Sequence, residues 1–310
     1  MDAFLTVSVP VFGLIFIGYL AGRFGVLGEQ SSEALNRFVY YFALPALLFI
    51  FVARAPLDRI FYWPFLAAWG GGLALTFAFT ALVSRVVYRD RLAVLGLRSM
   101  NASFANTGYL GIPLAIAAFG DIAALPAIIA TASMSIVFIS VTIALIETDL
   151  SQQAGAAGIA CDVGLALATN PLVLAVSAGA LVPAFDIVLP SALEKFFDLL
   201  SNAAGPAALF AIGLFVSGQS LRDGLGAAGP LTLVKLIVHP LLTWLLIAVA
   251  IEMEPLWATV TILMSALPTG ANCFVLAQRY RLFVAPTSAT ILLSTVLSVI
   301  TVSLILVLLR

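Results

Sequence analysis

The feature that most restricts the fold of this chain is a set of landmarks repeated 161 residues further on. Pro10 pairs with Pro171 and Gly18 with Gly179. Pro45-Ala46 and Leu48-Phe49 pair with Pro206-Ala207 and Leu209-Phe210, and Ser140-Val141-Thr142 pairs with Thr301-Val302-Ser303. Pro126 and Pro286 correspond with a slip of one. The chain has only 15 prolines, so chance supplies few such coincidences at one spacing. The matches also fall at corresponding points of corresponding apolar segments. The sequence thus reads as two like halves, 1–148 and 161–310, joined by a linker over 149–160 that is too short to be a domain.

The apolar segments set the medium. Hydrophobic residues make up 63% of the chain and charged residues 9%, against roughly a quarter charged in a soluble domain. Ten stretches are long enough to approach the roughly 20 residues that a bilayer crossing needs. The pattern predicts helices over 4–22, 34–53, 62–84, 92–118, 123–146, 162–182, 191–217, 230–251, 256–278 and 285–309. The first lacks a basic leader and runs directly into the repeat, so it reads as a span and not as a cleavable signal. Five helices per half is an odd number, which predicts that the second half is inverted relative to the first.

Orientation follows from the basic residues. Arg23, Arg37, Arg85, Arg89, Arg91, Arg98, Arg222, Arg279 and Arg281 fall on one side, and Arg54, Arg59, Lys195 and Arg310 on the other. The richer side is expected in the cytoplasm, which puts both termini outside, in a plasma membrane of bacterial inner-membrane type. The cluster from Arg85 to Arg98 reads as a topology anchor.

Chemistry is expected where the chain interrupts its own helices. The fourth segment carries Asn101, Asn106-Thr107-Gly108-Tyr109 and Gly111-Ile112-Pro113, and the ninth carries Pro268-Thr269-Gly270-Ala271-Asn272. Proline removes a helical hydrogen bond and crowds the preceding turn, and Gly108 and Gly111 ease unwinding. Thr107-Gly108 and Thr269-Gly270 match at a spacing of 162. Two broken helices at matched places in inverted halves mark a transporter's binding site. Their half-helix N-termini offer amide donors and a positive dipole end, which suits an anion. A kink in a packed helix is the plain alternative for Pro113 or Pro268 taken singly.

Lys235 and His239, four residues apart, share a face of the eighth segment. The first is one of two lysines and the second is the only histidine. Inside a bilayer such groups mark substrate or ion paths. Lys235 could attract a carboxylate, hold the place of a coupling cation, or snorkel to the interface; His239 could carry protons or satisfy a kink at Pro240. Hydroxyl residues on the fifth and tenth segments read mainly as close-packing positions, with Ser133 and Ser135 in reach of the breaks. On the seventh segment Asn202 is the residue expected to meet substrate.

Enzymatic readings find little support. There is no second histidine for a metal pair, no Ser-His-Asp set at matching depth and no Gly-rich phosphate loop. Cys161 and Cys273 lack metal-ligand spacing, so neither a disulfide, a metal site nor a cofactor is expected. The net charge of −1 argues against a nucleic-acid partner.

The run from Asn106 to Leu114 resembles the helix-4 signature of the auxin efflux carrier family. Ala266-Leu267-Pro268 leading to Phe274-Val275-Leu276-Ala277-Gln278-Arg279-Tyr280 resembles its helix 9, and Lys235 with Pro240 its helix 8. The resemblance covers the whole chain and implies a carrier of malonate-like acids or auxin-like weak acids, with protons or sodium as candidate coupling ions. It implies an all-α elevator fold of the bile-acid-symporter and NhaA type, in which helices 1, 2, 6 and 7 form a scaffold, often dimeric. Helices 3–5 and 8–10 form the mobile transport domain, with helices 4 and 9 crossing at the site. Where the plant pattern has a second proline in helix 9, this chain has Cys273, leaving Gly270 and Asn272 to supply the break. The expected substrate set is Asn101, Asn106, Thr107, Ser133, Asn202, Lys235, His239, Thr269, Gly270 and Asn272. A sodium-coupled anion symporter is the alternative within transport, and a non-transporting sensor or a channel the alternative outside it.

Overall fold

The computed structural model describes residues 2–150, 156–218 and 224–308. Gln152, Gln153 and Gly155 of the expected linker, and Arg222 and Arg310 of the charge pattern, lie outside the described residues. Every regular element among these residues is helical: α1 (Asp2–Arg23), α2 (Gln30–Ala53), α3 (Leu57–Tyr88), α4 (Leu92–Ser103), α5 (Thr107–Phe119), α6 (Asp121–Leu150), α7 (Ala156–Ala168), α8 (Pro171–Ala184), α9 (Ser191–Ser217), α10 (Leu225–Ala250), α11 (Pro255–Ser265), α12 (Asn272–Tyr280) and α13 (Val284–Leu308). Helices satisfy their own backbone, which is what a chain this apolar requires in hydrocarbon. Six of them, α2, α3, α6, α9, α10 and α13, are long and apolar enough to cross a bilayer, and the bent pair α7 and α8 counts as a seventh if taken as one span.

Two expectations are corrected. The segment 162–182 is not one helix: α7 and α8 meet at a 69° bend. The Oδ1 of Asn170 accepts hydrogen bonds from Leu172 N at 2.9 Å and Val173 N at 3.3 Å, and Pro171 occupies the first helical position. An asparagine N-cap followed by proline is a helix start. Pro113 does not unwind its helix either. It follows a π turn over Thr107–Gly111, and Pro45 and Pro240 follow π turns at the same spacing, Val39–Ala43 and Val234–Val238. The wider turn accommodates the proline ring, so the chain bulges where unwinding was expected.

Helix packing divides into two neighbourhoods. α1 runs along α9, α8 along α2, and α9 also packs on α2. α4 packs on α3 and α6, and α10 on α3 and α13. Glycine permits the closest approaches of the first neighbourhood. Gly18 lies directly against the carbonyl of Phe210, and a Cβ at Gly179 would lie 2.8 Å from the carbonyl of Phe49. Both members of the first contact are carried into the second by the 161-residue spacing, with the halves exchanged. At the end of α2, Arg54 donates to both oxygens of Asp198 on α9, at 2.9 and 3.0 Å. That hydrogen bond raises the guanidinium above its ordinary value, against a smaller opposing effect of burial. Arg59 pairs with Glu254, so the starts of α3 and α11 are also joined.

Candidate functional site

α4 ends at Ser103 and helix resumes at Thr107; α11 ends at Ser265 and helix resumes at Asn272. The unwound residues 104–106 and 266–271 pass each other antiparallel, bridged at Ala105 and Thr269. Asn106 N donates to Pro268 O at 2.8 Å, and Gly270 N donates to Phe104 O at 2.9 Å. Each interruption therefore supplies hydrogen-bond partners to the other, as unwound backbone at membrane depth requires. A Cβ on Gly270 would lie 2.9 Å from Ala105 O and 3.0 Å from the Phe104 ring, so the approach needs glycine. Thr269 pins the crossing: its N–H donates to Ser294 Oγ at 3.1 Å and its hydroxyl to Asn101 O at 2.8 Å. The Asn101 amide donates in turn to Leu97 O at 2.8 Å and Thr287 Oγ1 at 3.0 Å.

Beside the crossing lies a small, partly open cleft. Asn106 lines it together with Thr107, Gly108 and Tyr109 of the first turn of α5, and the entry to α12 lines it with Gly270, Ala271 and Asn272. Phe104 and Ala105, then Thr131, Met134 and Ser135 of α6, complete that wall, while Tyr40 of α2 and Leu172 of α8 face it from the other helix neighbourhood. Among the described residues, no carboxylate, ammonium or guanidinium lines the cleft. The N-termini of the two half-helices that begin at Thr107 and Asn272 border it, and a helix N-terminus with its unpaired amides and dipole favours an anion. The Thr107 hydroxyl is 1% exposed and has no partner. A buried hydroxyl without a hydrogen bond is costly unless something else supplies one.

The other candidates lie elsewhere. Asn101 and Thr269 are buried within the crossing, bonded to each other and not lining the cleft. Ser133 turns its hydroxyl back to Ile129 O at 2.6 Å, whereas Ser135 reaches the cleft. Asn202 is exposed on α9. Gly111 does structural work, since a Cβ there would lie 2.6 Å from Leu267 and 2.8 Å from Met264 at the end of α11. Sequence reasoning missed Tyr40, Thr131, Met134 and Leu172. Tyr40 precedes Pro45 and Leu172 follows Pro171, but nothing local to either shows that these segments meet the breaks.

Comparison with known proteins places this chain in a family. The description Membrane transport protein matches residues 3–150 and 158–306. The chain belongs to that family. A relative in Rhizobium meliloti (strain 1021), named "Putative malonate transporter", is 32% identical over 305 residues, covering 97% of this chain and 94% of the relative. An "Uncharacterized transporter" of Methanothermobacter thermautotrophicus is 28% identical over 300 residues, 96% of this chain and 95% of that one. The mouse "Lysosomal cholesterol signaling protein" is 31% identical over 248 residues, 74% of this chain and 28% of that protein. The resemblance read from the two broken-helix motifs stands, and this membrane transport protein is a transporter and not an enzyme.

In this transporter the two ionisable residues of α10 sit away from the cleft wall. Lys235 and His239 are both fully buried. The Lys235 ammonium donates to Ser265 O at 2.8 Å, the carbonyl that ends α11, and lies 3.0 Å from His239 Nδ1. Trp69 tilts over the histidine ring at 6.0 Å between centroids. Neither side chain snorkels to the interface.

Proposed function

We propose that this transporter carries small organic anions, carboxylates of the malonate or auxin type, by alternating access of the elevator kind. One observation carries the reading: the N-termini of α5 and α12 converge on one uncharged cleft with Asn106, Asn272 and an unpartnered Thr107 hydroxyl. An anion at such a site gains charge-assisted hydrogen bonds without requiring a buried counter-charge. The name of the Rhizobium meliloti relative supports the carboxylate class.

The mechanism rests on the two helix neighbourhoods. α1, α2, α8 and α9 act as a scaffold, through which the protein dimerises, and α3–α6 with α10–α13 move as the transport domain. The cleft lies where Tyr40 and Leu172 of the first face the crossing carried by the second, so sliding one past the other exposes it to alternate sides. The exchanged contacts Gly18 with Phe210 and Gly179 with Phe49 support two like halves related by a pseudo-twofold axis; read as inverted five-helix halves they give ten spans, and the distribution of basic residues puts both termini outside. A bacterial inner membrane suits this arrangement.

The test is counterflow. Protein reconstituted into liposomes loaded with unlabelled malonate should accumulate labelled malonate transiently, and a panel of mono- and dicarboxylates should compete in order of affinity. A channel would give flux without counterflow, and a sensor would give no flux.

A further inference from the structure

Among the described residues at the crossing, the C-terminal end of α11 is the helix end capped by a lysine nitrogen. A helix ends in carbonyls without intrahelical partners and carries about half a negative charge there. At the end of α4, the corresponding carbonyls take neutral donors: Ser103 Oγ on Ser99 O, Phe104 N on Met100 O and Thr269 Oγ1 on Asn101 O. At the end of α11, Ser265 O takes the ammonium of Lys235. No carboxylate forms an ion pair with Lys235 among the described residues. An ammonium with no exposed surface and no counter-ion is expensive in a bilayer, and the helix end and a histidine ring nitrogen are what balance it. The wide turn over Val234–Val238 that carries Lys235 packs against α3, α4 and α13 as well as its own helix.

In transporters with discontinuous helices, half-helix C-terminal ends coordinate the coupling cation. We propose that Lys235 is a tethered cation that fills this position at the end of α11, so that the crossing and the cleft beside it assemble without sodium. Its nitrogen is fixed by Ser265 O and His239 Nδ1, the ring is held by Trp69, and the tether makes occupancy independent of ion concentration. Lys235 is thus a positioning residue. The consequence for transport, though not the geometry, rests on reading the cleft as an organic-anion site.

Purified protein is compared in sodium chloride and choline chloride at equal ionic strength, by thermal unfolding and by direct malonate binding. The wild type should show no sodium-specific rise in Tm, and its malonate affinity should change by less than about twofold between the salts, since the site is already filled. Lys235→Met should lose malonate affinity by about tenfold or more in choline and gain a sodium-specific rise in Tm. Lys235→Gln should behave the same way, and Lys235→Arg should keep wild-type indifference to sodium. A variant that folds only in sodium supports the proposal; variants that fail to fold in either salt count against it. A sodium-dependent wild type overturns it, as do Met and Gln variants that bind malonate normally in choline or gain no sodium response. Because the Tm readout needs no substrate, the two readings separate. If the variants gain the sodium response while no carboxylate binds, the cleft reading fails; if malonate binds and no sodium response appears, this inference fails.

Discussion

The two interruptions look equivalent as sequence and differ as chemistry. The first, over 104–106, contains no proline; it is held open by hydrogen bonds from the second, Asn106 N to Pro268 O and Gly270 N to Phe104 O. The second, over 266–271, contains its own breaker in Pro268 and begins at a carbonyl bonded to Lys235. The first helix end therefore depends on its neighbour, while the second combines an intrinsic break with a buried cation. A matched pair of motifs predicts that two breaks meet. It does not predict that they share the same load.

The largest expected effect tests whether both N-termini serve one ligand. Asn106→Ala and Asn272→Ala should each weaken malonate binding by about 1.5–3 kcal/mol, the range for hydrogen bonds to charged groups. Equal losses by titration calorimetry would sharpen the picture of a shared site, and wild-type affinity in both variants would remove it. Gly270→Ala should cost about 1–3 kcal/mol of stability, because the new methyl meets the backbone of Ala105 and the Phe104 ring, as in an overpacked core. Gly111→Ala should cost less, since it meets only the flexible ends of Leu267 and Met264. Denaturation in matched detergent checks the order of the two.

Thr269→Val should cost about 1 kcal/mol by removing the hydroxyl that caps Asn101 O, read from the same unfolding curves. The smallest effect concerns Pro113. With a π turn before it and the break lying at 104–106, Pro113→Ala should change stability by within about 0.5 kcal/mol and leave liposome transport near wild type. A collapse of transport in that variant would show that the proline, and not the partner strand, keeps the first break open.

Several features were legible because their causes are local. The helical membrane class follows from apolar length, since only internally satisfied backbone crosses hydrocarbon. The place of the second break follows from Pro268 and Gly270, and the neighbourhood of the first from the glycines and asparagines at 101–111. What the cleft offers from Asn106, Thr107, Gly108, Gly270 and Asn272 was readable in the same way. The 69° bend at Asn170-Pro171 was also local and legible, but the apolar run on both sides concealed it.

The remaining features were decided by contacts across long sequence distances. Pro113 could unwind its helix or widen a turn; the structure widens the turn before it, as it does before Pro45 and Pro240. Lys235 could reach the headgroups, the cleft or a helix end; it was directed by the unpaired carbonyl of Ser265, 30 residues away. Tyr40 and Leu172 became cleft residues only because α2 and α8 pack together and face the crossing. Sequence alone determined that this chain would lie in a membrane as helices with two matched interruptions, because backbone satisfaction and proline geometry act over a few residues. Only the tertiary structure decided that both interruptions line one cleft with neutral groups while the end of α11 is held by Lys235. Hydrogen-bond partners and counter-charges at membrane depth have to come from other helices.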